Sequence, residues 1–137
     1  MSKEIALNIL NENIGNTLIE TLDIKFIDIG EDFLVASMPV TPKVFQPDQI
    51  LHGGASAVLA ETVGSAASSI LLKNGKKIVR GIELSINHLK AVNSGKIIAK
   101  AKAIHIGRTM QLWNIKITNE NDEIVSIAKL TTLTLQK

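Results

Sequence analysis

Apolar and polar positions change period twice along the chain. Near the N-terminus the pairs Ile5/Ile9 and Ala6/Leu10 recur four apart, on one helical face, and Ser2 ahead of them is a candidate N-cap. A short amphipathic helix ending between Asn11 and Gly15 is predicted. From Leu22 the period falls to two. Leu22, Ile24 and Phe26 alternate with Asp23 and Lys25 up to Ile29, Gly30-Glu31-Asp32 supplies a turn, and Phe33–Val40 reads as the returning strand of a hairpin. Pro39, Pro42 and Pro47 then interrupt both periods, so Thr41–Leu51 is drawn as an irregular loop.

The longest apolar run follows, a helix from about Gly54 to Leu72, roughly 27 Å long. Its alanines and Gly64 let other backbones approach, while Val58, Leu59, Val63, Ile70 and Leu71 supply volume. A helix apolar on nearly every side is expected to be buried on nearly every side. Lys73-Asn74-Gly75-Lys76-Lys77 reads as its end, with positive charge and a glycine where capping favours them. Beyond it the period is two again. Ile78–Leu89, Lys96–Ile106, Met110–Thr118 and Glu123–Leu135 read as strands, turned at Asn93-Ser94-Gly95, Gly107-Arg108 and Asn119–Asp122. Ile97, Ala99, Ala101 and Ala103 share one face of their strand, as do Gln111, Trp113, Ile115 and Ile117 of theirs. Four strands at hairpin spacing are expected as an antiparallel meander. The inventory is α+β: one antiparallel sheet curled around one long central helix, in a single domain spanning residues 1–137.

Composition removes several classes of function. A net charge of +2 without a basic cluster, and only one Trp and three Phe as aromatic residues, give no footprint for nucleic acid. The absence of cysteine excludes disulfides, thiolate metal sites and a cysteine nucleophile. Met1–Asn11 lacks the pattern of a secretory signal, which makes a cytoplasmic location the expectation, and no segment reads as a membrane span. There is no G-x-S-x-G elbow, no phosphate-cradling G-x-x-x-x-G-K and no dinucleotide G-x-G-x-x-G. His52, His88 and His105 are scattered without ligand spacing, so no metal and no cofactor are expected.

What remains is concentrated at the long helix. His52-Gly53-Gly54 opens it and places bare backbone N–H groups at a positive helix end, a site for an anion or a carbonyl or else only a tight turn. Glu61 is its one ionisable residue, and a buried carboxylate needs a partner or a task. Ser65 lies one turn on, on the same face, where it either packs or holds the carboxylate or a water. His88 falls in an apolar-alternating strand, the setting of a satisfied core or interface histidine. Lys90, Lys96 and Arg108 sit near strand ends, as solvated surface or as a phosphate clamp.

Taken in order, Gln46-Pro47, Leu51-His52-Gly53-Gly54-Ala55-Ser56, Leu59-Ala60-Glu61-Thr62-Val63-Gly64-Ser65, Gly81-Ile82-Glu83, Asn87-His88, His105-Ile106-Gly107-Arg108 and Gln111-Leu112-Trp113 resemble the hotdog-fold acyl-CoA thioesterases. The branch resembled is that of phenylacetate catabolism and 4-hydroxybenzoyl-CoA thioesterases, which includes 1,4-dihydroxy-2-naphthoyl-CoA hydrolases. The resemblance implies a hotdog fold paired into dimers, or dimers of dimers, acting on an acyl-CoA with an aromatic or compact acyl group. It makes Glu61 the carboxylate that attacks the thioester or activates water, and the Gly53 N–H the donor that polarises the carbonyl. Gln46 and His52 become residues that orient substrate or water, Ser65 and His88 supports around them, and Lys90 with Gly107, Arg108 and Thr109 the residues facing CoA. Rival readings are a hotdog protein that binds acyl-CoA without turnover, and a hotdog hydratase or dehydratase. Helix geometry adds a constraint: Gly53 and Glu61 are separated by roughly 12 Å along a continuous helix, too far for one carbonyl to touch both. Each site is therefore expected to take Gly53 from one subunit and Glu61 from its neighbour.

Overall fold

The computed structural model describes residues 1–72 and 77–136. Its elements are α1 (Lys3–Glu12), α2 (Leu18–Thr21), β1 (Lys25–Ile29), β2 (Phe33–Pro39), a 3-10 turn at Pro42–Val44, α3 (Gly53–Leu71), β3 (Lys77–His88), β4 (Lys96–Ile106), β5 (Met110–Thr118) and β6 (Ile124–Gln136). The strands form one six-stranded antiparallel sheet in the order β1-β2-β4-β5-β6-β3, and α3 packs against β2 through β6. The α+β arrangement of a sheet around one long helix is thus present.

Each element has a local cause. Ser2 caps α1, accepting the Ile5 N–H at 3.2 Å. Asn11 then docks α1 on the outer strand, exchanging two 2.9 Å hydrogen bonds with the Phe26 backbone, and Lys3 pairs with Asp28. α2, capped by Thr17, has no counterpart in the sequence reading because four residues are too few to display a helical period. The alternation in β5 puts Gln111, Trp113, Ile115 and Ile117 inward, all fully buried. In β4 the inward set runs from Ile97 through Ala99 and Ala101 to a half-buried Ala103, and a bulge between Ala103 and His105 then interrupts the alternation.

Two expectations are corrected. The four-strand meander fails at its first step: β4, β5 and β6 are consecutive neighbours, but β3 pairs with β6 at the sheet's edge and β4 pairs with β2. A turn signal specifies that the chain reverses, not which strand it meets. Residues 89–95 connect the two strands, and that length reaches roughly 23 Å, enough to step past two strands to a third position roughly 14 Å away. The second correction concerns α3, which is buried on one side only. Ser56, Leu59, Ala60, Val63, Gly64, Ala67 and Ser68 face the sheet, while Gly54, Glu61 and Ser69 are exposed. Small residues permit burial without requiring it. On the buried side the helix presses so closely that a Cβ on Gly64 would lie 2.5 Å from the Leu130 side chain. The segment Lys73–Lys76 read as the helix end lies outside the described residues, and Lys77 opens β3.

Candidate active site

The loop before α3 is less irregular than its prolines suggest. Phe45 and Leu51 form a bridge, Gln46 N–H donates to the Ile50 carbonyl at 2.8 Å, and Gln49 takes the left-handed conformation, φ 65°, that closes the turn. His52 N–H donates to the Val44 carbonyl at 2.8 Å, which fixes where the helix begins. The His52 ring is then the N-cap of α3, its Nδ1 accepting the Gly54 N–H at 2.7 Å. That bond occupies one ring nitrogen of a residue expected to orient substrate, and leaves Nε2 for that role. Gln46 likewise turns its Oε1 onto the Asp48 N–H of its own loop.

Both glycines are where imidazoles press on the helix. A Cβ on Gly54 would lie 2.9 Å from the His52 ring, and one on Gly53 would lie 2.7 Å from His88 Nε2. His88, the last residue of β3, is exposed rather than held in the core, and its Nδ1 is hydrogen-bonded to the buried Ser126 hydroxyl at 2.9 Å. Gly53, as the first helical residue, has no intrahelical acceptor for its N–H. Gln46, Gly53, Ser56, His88, Lys90 and Ser126 line a cleft of about 350 Å³ at this end.

Glu61 lies elsewhere. Contrary to the expectation of a buried carboxylate, it is exposed, on the open side of α3. It shares with Ser65 the space above Gly81 of β3, where a Cβ would come 2.9 Å from Glu61 Oε2 and 3.3 Å from Ser65 Oγ. Gly81 has no role in the sequence reading, although a glycine inside a strand is itself a sign of close approach. Glu61, Thr62 and Ser65 form the polar side of a cleft of about 650 Å³, whose apolar wall includes Ile14, Leu18 and Phe26 from the N-terminal segments. β3 therefore runs antiparallel to α3, passing Glu61 and Ser65 at Gly81 and Gly53 at His88.

The basic residues are divided in the same way. Lys90 follows the His88 end of β3 and pairs with Glu123 at 3.3 Å. Hydrogen bonds from the Asn119 side chain, and then from Lys90, hold the Glu123 carboxyl below its usual range. Gly107, Arg108 and Thr109 form the β4–β5 turn, at the other end, where the Thr109 carbonyl accepts the Thr134 N–H at 2.8 Å. Ser126, opposite His88, and Thr134, opposite Val79, mark these ends on β6, and eight residues of strand separate them by roughly 26 Å. Lys90 and Arg108 of one chain cannot clamp one phosphate. Among the described residues no group of three or more His, Cys, Asp or Glu could hold a metal ion, and no helix is long and apolar enough to cross a membrane.

The thioesterase superfamily profile matches residues 48–126. The 1,4-dihydroxy-2-naphthoyl-CoA hydrolase of Escherichia coli is 38% identical over 133 residues, covering 97% of each chain. The proofreading thioesterase EntH of Cronobacter turicensis is 38% identical over 130 residues, covering 95% of this chain and 94% of its own. Among solved structures, a thioesterase of Haemophilus influenzae superposes with a TM-score of 0.91 at 39% identity, over 95% of this chain and 90% of the other.

Proposed function

The chain belongs to the thioesterase superfamily and is a thioester hydrolase of the hotdog fold, and from that premise we propose that it cleaves acyl-CoA in sites shared between two copies of itself. One observation carries the reading: α3 and the edge strand β3 run antiparallel, with Glu61, Ser65 and Gly81 together at one place and Gly53 and His88 at the other. Pairing β3 with β3 of a second copy about a two-fold axis carries the Gly81 part of each strand to the His88 part of the other. Glu61 of one subunit then faces Gly53 of the partner subunit. The same operation carries the Lys90 end of one chain toward the Gly107-Arg108-Thr109 turn of the other, which supports a joint role for them in holding the nucleotide and its phosphates.

In this site the Gly53 N–H, unoccupied and at the positive end of a 19-residue helix, donates to the thioester carbonyl oxygen as negative charge develops there. The Glu61 carboxylate attacks the carbonyl carbon or takes a proton from the water that does. The C–S bond breaks, water supplies the hydroxyl of the acid, and its remaining proton goes to the CoA thiolate. Ser65 lies against Glu61, His88 lies against Gly53, and Gln46 with the Nε2 edge of His52 lines the approach. The apolar wall of the Glu61 cleft suits an aromatic or compact acyl group, in keeping with the naphthoyl substrate for which the Escherichia coli relative is named.

The test is thiol release from benzoyl-, 1,4-dihydroxy-2-naphthoyl- and palmitoyl-CoA by wild type and Glu61→Ala. General-base or nucleophilic use of Glu61 predicts a loss of about 10²–10⁴-fold in kcat, with the melting temperature unchanged because the side chain is exposed. Subunit exchange tests the sharing. Gly53→Pro removes the donor at a first helical position, where the proline backbone is tolerated, and its Cβ also displaces the His88 ring, which belongs to the same half of the site. Mixed equally with Glu61→Ala, it should recover about a quarter of wild-type activity, because half the dimers are mixed and each holds one intact site. No recovery after verified exchange would count against the shared site. Tight acyl-CoA binding without thiol release would favour the binding protein, and hydration without thiol release the hydratase.

A further inference from the structure

A chain of fully buried polar side chains crosses the core between α3 and the β4–β5 turn. Trp113, Ser68, Thr132 and Gln111 are each 0% exposed. Trp113 Nε1–H donates to Ser68 Oγ at 2.7 Å, and Ser68 Oγ lies 2.7 Å from Thr132 Oγ1. Thr132 and Thr134 donate to Gln111 Oε1 at 2.9 and 3.1 Å, and Gln111 Nε2–H donates to the Gly107 carbonyl at 3.2 Å. The direction of every bond is forced. The Gly107 carbonyl can only accept, so Gln111 turns its nitrogen to it and its oxygen to the threonine hydroxyls; Thr132 gives its one proton to Gln111, and Ser68, which accepts from the indole, is left to donate to Thr132. Among the described residues no buried side-chain polar atom lacks a partner, so removing one member of the relay strands a buried polar group.

Both ends of the relay are functional places. Ser68 lies two helical turns beyond Glu61, on the same helix, and Gly107 begins the exposed turn carrying Arg108 and Thr109. The remaining anchors of that turn are backbone bonds, Gly107 N–H to the Met110 carbonyl and Thr134 N–H to the Thr109 carbonyl, both 2.8 Å. We propose that Gln111, oriented by Thr132, Thr134 and Ser68, is a positioning residue that sets the place of the Gly107-Arg108-Thr109 turn relative to α3, and so tunes binding of the nucleotide part of an acyl-CoA. This rests on the reading that the turn faces CoA.

The experiment compares an acyl-CoA with the N-acetylcysteamine thioester of the same acid, which lacks the nucleotide. Gln111→Met, close in volume and unable to hold Gly107, should raise KM for the acyl-CoA by about five- to tenfold, the worth of one or two hydrogen bonds. Its kcat, and kcat/KM for the truncated thioester, should stay near wild type. Thr134→Val removes one hydroxyl from Gln111 while keeping the backbone bond to Thr109, and should show the same split, about two- to threefold; it decides the matter if Gln111→Met does not fold. An equal loss on both substrates, or no change on either, overturns the proposal. Arg108→Ala separates the two readings. If it raises KM for acyl-CoA alone while both core variants do not, only the relay is wrong, and if it changes nothing, the CoA-facing turn is wrong and the relay's role falls with it.

Discussion

Gly53 and Glu61, at the two ends of one stretch of α3, differ in how firmly the single chain holds them. At Gly53 the surroundings are fixed: His52 caps the helix, His88 is tied to buried Ser126, and the Gln46 loop is closed by backbone bonds. At Glu61 no side-chain hydrogen bond from the described residues holds the carboxylate, and the side chain is exposed on an open cleft. A donor aimed at a developing charge gains from rigidity. A carboxylate that must meet a substrate gains from exposure until the substrate and second subunit close around it. In the proposed reading the protomer carries the electrophilic half of a site at one place and the nucleophilic half at another, and the edge of β3 lies between them.

The largest change to this contrast should come from Gly81→Ala. The new Cβ would lie 2.9 Å from Glu61 Oε2, and a carboxylate at the end of a flexible side chain moves aside, so the fold is kept. A displacement of about 1 Å predicts a fall of about 10²-fold in kcat, with a melting curve close to wild type. The β3–β6 register shifts between Gly81 and Glu83, and an equal loss of stability and activity would show that Gly81 serves that irregularity instead. Ser126→Ala loosens the firm end. It frees His88 from its one side-chain anchor and predicts a fall of about fivefold in kcat/KM, the scale of one hydrogen bond; activity unchanged would mean that Gly53 alone holds the ring in place.

The smallest effect concerns the wall of the Glu61 cleft. Asp28 is held below its usual range by its hydrogen bond to Lys3, which ties α1 to β1. Because the folded value is lowered, the stabilisation is present above the ordinary value of 3.8 and is lost as pH falls through the folded value. Asp28→Asn should therefore lower the unfolding free energy slightly near neutral pH, by about a few tenths of a kcal/mol for so exposed a pair. The difference from wild type should close in strong acid. A difference that persists there would point to packing rather than charge.

Much of the fold and of the site is legible in the residues. Periods of two and 3.6 place every long element within a few residues, because side-chain direction follows backbone geometry locally. The lone carboxylate of α3 and the paired glycines before it mark the chemistry for the same reason. Other features leave at most a faint local trace, such as the strand glycine at Gly81. Gly81 and Ser126 matter through what lies across from them, and Gln111 reads only as one more inward position of β5. The place of β3 at the sheet's edge, the exposure of Glu61 and the separation of Lys90 from Arg108 depend on which strand pairs with which, and several pairings satisfy the same alternation. The sequence by itself determined the long elements and the inward faces of strands such as β5, since these follow from spacing along one chain, and it nominated Gly53 and Glu61 as candidates. Only the tertiary structure decided which groups meet, because long-range pairing is chosen by packing summed over the whole sheet and not by any one stretch.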